Sequence, residues 1–342
     1  MRKYAIVLTL ALMSMGVGAL VVVGQSPDQS PVVWAYGFVT SGSNPVAPPC
    51  PADSKPHECA RPGRPWPEDG IQLRLPGTDR TFTIGRIQSH YDPADWYPGD
   101  HPTPPDIVQH GRESDQVRAC ALCHLPTGQG KPENAHLMAL PVNYFVQQMA
   151  LFKSGGRKSA DPRKSNTNEM IQIAKFLTDE QTKAAAEYFA SIKWKPWVRV
   201  VESETAPKTR QSSAGLFLPL EGKETELLGQ RIVEVPENPD ATERLRDPRS
   251  GFVAYVPVGS IAKGKELVTT GGGKTIMCGV CHGPELTGVG DIPAIADRTA
   301  SYTMRQLYDI QQGTRQSLLM KAVVEKLSAD DMISIVAYLA SL

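Results

Sequence analysis

Two short stretches carry residue types that do chemistry. "RACALCHLPTGQG" holds Cys120, Cys123 and His124, and "IMCGVCHGPELTG" holds Cys278, Cys281 and His282. Two thiols separated by two residues suit a redox dithiol, half of a metal site, or covalent capture of a group with two reactive arms. A histidine directly after the second thiol adds a nitrogen ligand on the same turn. A zinc site needs further Cys or His ligands at short spacing, and neither half supplies a second pair. A thioredoxin-like dithiol needs a βαβ surround, which the flanking sequence lacks. The stretch "TTGGGKT" falls short of a phosphate loop, because Val268 stands where that loop needs its first glycine.

The elements around the two motifs repeat. Tyr144 lies 20 positions after His124, and Tyr302 lies 20 after His282. Gly155 and Arg157 follow Tyr144 by 11 and 13, as Gly313 and Arg315 follow Tyr302. Met170 precedes Tyr188 by 18, as Met320 precedes Tyr338. Only the Arg-to-Met gap differs, 13 against 5, so the first copy has a longer loop. Matched spacing at four landmarks is an internal duplication.

Cys-x-x-Cys-His is the attachment signature of c-type haem. The cysteines form thioethers to the two vinyl-derived arms, and the histidine is the proximal iron ligand. Two covalently attached haem c groups are therefore expected, on Cys120, Cys123 and His124, and on Cys278, Cys281 and His282. A unit this small gains much of its apolar core from the haem itself.

On these motifs the chain resembles the class I c-type cytochromes, in particular the tandem di-haem ones, over about 105–195 and 259–342. In the second copy Pro293 precedes "AIADRTASYTMRQLYDIQQGTR", similar to that family's proline-to-tyrosine segment. The resemblance implies that the Pro293 carbonyl accepts a hydrogen bond from His282 Nδ1–H, orienting the ring. The first copy departs here: Ala135 stands in that place, and Leu125 replaces the glycine after the histidine. The resemblance also implies a methionine as sixth ligand, Met170 and Met320, each seven residues before Leu-Thr or Leu-Ser. Met138 and His136 are the alternatives in the first copy, Met304 and Met332 in the second, where they read as core residues. It leaves Gly111 and Gly264 either as helix crossings against Tyr188 and Tyr338 or as ordinary helix ends. Arg157 and Arg315 read either as partners of haem carboxylates or as solvated side chains.

The fold expected is mainly α: two tandem class I cytochrome c domains, an irregular Pro/Gly-rich N-terminal extension and a small antiparallel β insert. Residues 1–24, with Arg2 and Lys3 before a long apolar run, read as a signal peptide or N-terminal membrane anchor. Residues 25–104 are the extension, 105–195 and 259–342 the two haem domains. Residues 196–258 are the insert, with strands in "WVRVVES", "GLFLPLEG", "QRIVEVPE" and "GFVAYVPVG". Cys50 and Cys59, in a Pro-rich loop of an exported chain, read as a local disulfide, with a thiolate ligand as the alternative. His57, His90, His101 and His110 read as solvated loop residues.

The chain holds 36 Lys+Arg against 36 Asp+Glu, which gives no ground for a nucleic-acid or anionic-membrane partner. The functional expectation is an electron carrier in the periplasm or at the outer face of the inner membrane. Its partners would be redox proteins, a donor and an acceptor, such as a dehydrogenase or a membrane oxidase complex. No catalytic residues stand out. The rival expectations are a haem enzyme, either a sulfur-compound dehydrogenase or peroxidase-like, and the cytochrome subunit of a dehydrogenase.

Overall fold

The computed structural model describes residues 68–162, 164–212 and 215–342. The leader, Cys50, Cys59 and His57 lie outside the described residues. From residue 68 to 105 the described chain is largely irregular, with a bridge between Leu73 and Phe82, one turn of α-helix, α1 (Ile84–Ile87), and a 3-10 turn at Pro98–Asp100. It still builds a small core of Leu75, Ile84, Ile87, Ala94, Trp96 and Tyr97, joined by Leu245 from far along the chain.

The first helical part comprises α2 (Asp106–Gln109), α3 (Cys120–His124), α4 (Val142–Ser154), α5 (Ser165–Phe176) and α6 (Asp179–Ser191). Helix α6 starts with a capping box, Thr178 with Gln181, preceding a first turn that carries Asp179 and Glu180. Phe145, Met149 and Phe152 of α4 meet Ala185, Ala186 and Phe189 of α6 in one core.

Among the described residues seven strands follow: β1 (Val198–Glu202), β2 (Thr205–Pro207), β3 (Thr209–Gln211), β4 (Phe217–Pro219), β5 (Thr225–Leu227), β6 (Val233–Pro236) and β7 (Phe252–Val256). Helix α7 (Pro239–Glu243) lies between the last two. The expected all-antiparallel insert is corrected here. β6 pairs antiparallel with β7, but β1 pairs parallel with β7, Val198 opposite Phe252. A parallel pair needs a long connection, and residues 203–251 provide it. β2 with β5 and β3 with β4 form two antiparallel ribbons within that connection.

The second helical part runs through α8 (Ser260–Thr270), α9 (Gly279–His282), α10 (Ala300–Gln311), α11 (Leu318–Val324) and α12 (Ala329–Ala340). Its core includes Ile232, Ala254 and Val256, so the insert packs into this half rather than standing apart. Buried Glu234 of β6 also accepts hydrogen bonds from the Ala300 and Ser301 N–H groups, at 3.3 and 3.1 Å. The insert thus caps the N-terminus of α10, whose first four N–H groups lack intrahelical partners.

The two N-terminal helices are not alike. Gly264 of α8 lies against Ser334 and Tyr338 of α12, a close helix crossing. Gly111 follows the single turn α2 with φ +65°, and its neighbours are Val117, Arg118 and Ala119. It is a turn glycine, not a crossing.

Candidate haem sites

Each Cys-x-x-Cys-His motif lies on a short helix, α3 or α9, whose histidine is buried. His124 Nδ1–H donates to the Ala135 carbonyl at 2.9 Å, and His282 Nδ1–H donates to the Pro293 carbonyl at 2.8 Å. A carbonyl can only accept, so in both rings Nε2 is the nitrogen left for a metal. The contact is to a backbone atom, which is why alanine serves as well as proline. Burial pushes His124 down to about 4, against the hydrogen bond it donates to the Ala135 carbonyl. His282 is lowered by burial too. In both rings burial favours the neutral imidazole, the form that binds iron.

The duplication extends to single hydrogen bonds. Gly130 N–H donates to the His124 carbonyl at 2.8 Å, and Gly288 N–H to the His282 carbonyl at 2.9 Å. Ala139 N–H donates to Phe189 O and Asp297 N–H to Leu339 O, each acceptor one residue after its helix tyrosine. Ala139 and Asp297 share φ +56°. Leu125 takes φ +61°, ψ 155°, close to Gly283 at φ +82°, ψ 159°. That region is nearly confined to glycine and costs about 1–3 kcal/mol for other residues. The Leu125 side chain is buried, and that burial offsets the strain.

Met170 lies in α5 against the first core, and Met320 in α11 against the second, both part-buried. Met304 and Met332 are fully buried core residues. Met138 is buried in the first core. His136 faces the other half: Nε2 lies 3.1 Å from Thr299 Oγ1, and its ring stacks on Trp194.

Arg157 and Arg315 are buried between the two halves, not solvated. Arg157 donates to Gln148 at 2.9 Å, Tyr302 at 3.0 Å and Gln306 at 3.1 Å. Arg315 donates to Gln306 at 3.0 Å, Tyr144 at 2.6 Å and Gln148 at 3.0 Å. The backbone crosses reciprocally, Lys158 N–H to Thr314 O and Gln316 N–H to Gly156 O, both 2.8 Å. Gln148 and Gln306 each stand 24 positions after their histidine, a repeat match that the sequence reading overlooked. Arg298 is buried here as well; burial lowers it to about 10, and its Nη2 has no partner among the described residues. A set of buried guanidinium groups with few carboxylates suits the propionates of haem.

The two sites differ in cover. Over the first lie pieces of the extension and the insert. Gln88 Nε2 donates to the carbonyls of Glu243 and Arg244, Trp96 Nε1 to Leu245 O at 2.7 Å, and Ala119 N–H to His90 O at 2.9 Å. At the second, Cys281 is exposed, with Met277, Val280, Leu318 and Leu319 exposed as well. Among the described residues no group of three or more His, Cys, Asp or Glu could hold a metal ion, and no helix is long and apolar enough to cross a membrane.

His101, expected in solvent, is buried, its side chain 1% exposed. Nε2 lies 3.2 Å from Asp95 Oδ1, and Nδ1 lies 2.8 Å from Pro102 O and 2.9 Å from Tyr188 Oη. Tyr188 spends its proton on the Pro126 carbonyl at 2.6 Å, so both imidazole nitrogens face acceptors. This arrangement favours the imidazolium, which clamps the extension to α6. Burial alone would lower its pKa, but the hydrogen bonds to Asp95 and Pro102, with the Asp95 and Asp100 charges, raise it above the ordinary 6.5. A raised folded value stabilises the fold below 6.5, and that contribution is lost as pH rises through the folded value. Melting temperature should thus drop more steeply from about pH 6 to 9 in the wild type than in His101→Gln. Parallel profiles would show that His101 carries no such charge.

A cytochrome c family model matches residues 261–342. Over 72 residues the chain is 35% identical to cytochrome c4 of Pseudomonas aeruginosa, covering 21% of this chain and 36% of that protein. It is 34% identical over 86 residues to cytochrome c-552 of Acidithiobacillus ferridurans, covering 25% and 34%. The matched stretches thus span about a third of the length of these relatives. Among solved structures, a thiosulfate dehydrogenase (TsdBA) from Marichromatium purpuratum aligns with TM-score 0.45 at 24% identity, over 69% of this chain and 39% of that one. Cytochrome c4 of Acidithiobacillus ferrooxidans aligns with TM-score 0.42 at 21% identity, over 67% and 99%. Residues 261–342 are a cytochrome c domain, a kind of domain that holds covalently attached haem c and serves electron transfer.

Proposed function

We propose that the chain is a di-haem c-type cytochrome that passes single electrons between two redox proteins outside the cytoplasm. The observation that carries this is the second histidine–carbonyl arrangement. His124 and Ala135 reproduce His282 and Pro293 at the same offset and nearly the same distance, in a half outside the family match. Cys120, Cys123 and His124 would hold one haem and Cys278, Cys281 and His282 the other, with Met170 and Met320 as sixth ligands.

Bound haem supplies a one-electron iron couple whose potential a methionine ligand raises relative to a second histidine. The chain's own part is to fix each imidazole through Nδ1, to shelter the first group beneath the extension and insert, and to lock the halves together. Exposure around Cys281 makes the second half the face that meets protein partners.

A second reading is favoured by the enclosure of the first site. A haem screened from protein partners but fed through the second half suits a small-molecule oxidation, with this chain as a dehydrogenase or its cytochrome subunit.

The test, on protein matured in a host that attaches haem c, is the pyridine haemochrome for haem count and the optical and EPR spectra of the oxidised protein for ligation. Two haems per chain are expected, both low-spin with a sulfur-to-iron charge-transfer band, half lost in Met170→Ala and half in Met320→Ala. One haem per chain would sink the di-haem reading. A high-spin or thiolate-ligated first haem would select the second reading.

A further inference from the structure

Beside Cys123 lies a buried cluster with too much positive charge. Lys131 and Glu133 come from the loop after α3, Lys164 from the turn before α5, and Arg246 from the insert 123 positions after Cys123. Lys131, Glu133 and Lys164 are at most 8% exposed. Lys131 Nζ stands 3.6 Å from Glu133 Oε1. Glu133 also acts electrostatically on Lys164 and Arg246, and Arg246 on Lys131 and Cys123, so the four groups share one region.

Three enclosed polar atoms there have no partner among the described residues: Lys164 Nζ, Arg246 Nη2 and Glu133 Oε2. Leaving such a group unpaired in the interior is costly, and more so when it is charged. Three cations surround Glu133; Glu243, which also acts on Lys131, is paired with Arg210, and Arg305 adds further positive charge beside Lys164. Arg246 is held at φ +56°, left-handed for a non-glycine residue, between the segment fastened by Gln88 and Trp96 and the turn that follows. Strain of this sort is retained where surrounding contacts enforce it, often at ligand sites. The second half has no counterpart: Val289 and Asp291 occupy the equivalent offsets from His282, and both are exposed. The cluster is an addition to one copy of the repeat.

We infer that Lys131, Lys164 and Arg246 enclose an anionic oxygen ligand, an oxyanion or a carboxylate, beside the first haem, with Glu133 accepting from whatever proton or water accompanies it. The inference goes beyond electron carriage and rests on that reading for the place of the haem. The ligand is either a small solute oxyanion or a carboxylate of the haem itself, and the two sources separate experimentally.

The probe is sulfate, titrated into the haem-loaded full chain by calorimetry, with both haem potentials followed in parallel. A solute site gives saturable binding that weakens at least tenfold in Lys164→Gln and in Arg246→Gln, survives in Arg246→Lys, and is untouched in the exposed-lysine variant Lys193→Gln. A haem carboxylate gives no sulfate binding, but both glutamine variants then shift the haem carboxylate infrared band and lower the first haem's potential. No sulfate binding in the wild type, with band and potential unmoved in whichever variants fold, overturns the inference. Haem count by pyridine haemochrome is read on every sample, so loss of the anion site is distinguished from failure of the haem assignment.

Discussion

Gly264→Ala is expected to destabilise the second half by about 3 kcal/mol or more, at the upper end of what overpacking costs. An added Cβ would sit 1.9 Å from the Ser334 carbonyl oxygen and 2.8 Å from Tyr338 Cβ. Neither neighbour can swing away, because both belong to the body of α12, so the helices themselves must part. Nearly every residue of α12 from Asp331 to Ala340 is buried, and parting them opens the core around Val268, Leu267 and Val336. Alanine's better helix propensity returns only about 1 kcal/mol. Against a whole-domain stability of about 5–15 kcal/mol this is a large loss. Guanidinium unfolding followed by circular dichroism reads it directly. A variant as stable as the wild type would mean that the crossing is looser than the structure shows.

Arg157→Leu is expected to cost about 3–5 kcal/mol and to uncouple the two halves. The guanidinium holds Gln148, Tyr302 and Gln306 together, and hydrogen bonds to a charged group contribute about 1.5–3 kcal/mol each. Its loss leaves the part-buried Tyr302 hydroxyl without that donor. The reciprocal Arg315 shares Gln148 and Gln306, so the two substitutions should not add. A double-mutant cycle with Arg315→Leu is the measurement. Expected is one cooperative unfolding transition in the wild type and two in the double variant. Additive costs and a single transition throughout would show that the cluster does not join the halves. Tyr144 supplies a further readout: burial would raise its phenol, but Arg315 and Arg157 pull it lower, and Arg315→Leu should send it up.

Much of the site was legible because its chemistry is local. Two cysteines and a histidine on one helical turn define an attachment point without any knowledge of the fold. The repeat offsets carried Tyr144, Tyr302, Arg157 and Arg315 even before their contacts were seen. Strands β1, β4, β6 and β7 showed as runs of Val, Phe and Leu, whereas β2, β3 and β5, Thr-Ala-Pro, Thr-Arg-Gln and Thr-Glu-Leu, contain no apolar run to read. What the sequence hid is long-range. That β1 would run parallel to β7 depends on a crossover of about fifty residues, not on either strand. Likewise His101 reads as a loop histidine until Tyr188, 87 positions away, closes over it. Arg246 reads as one more charge in "ERLRDPRSG" until Gln88 and Trp96 are seen to fasten the residues before it. Buried charge is the hardest class to read from sequence, since its partners come from elsewhere.

The contacts between the halves are reciprocal. Arg157 touches Tyr302 and Gln306 as Arg315 touches Tyr144 and Gln148, and Lys158 meets Thr314 as Gln316 meets Gly156. A patch that binds a copy of itself, with residue i on j and j on i, is an isologous interface, the hallmark of a C2 homodimer. Here that dimer is written within one chain. Within one chain the two sides of such a patch need not be identical, and these are not: the first motif is covered by the extension and by Arg246 of the insert, whereas the second leaves Cys281 exposed.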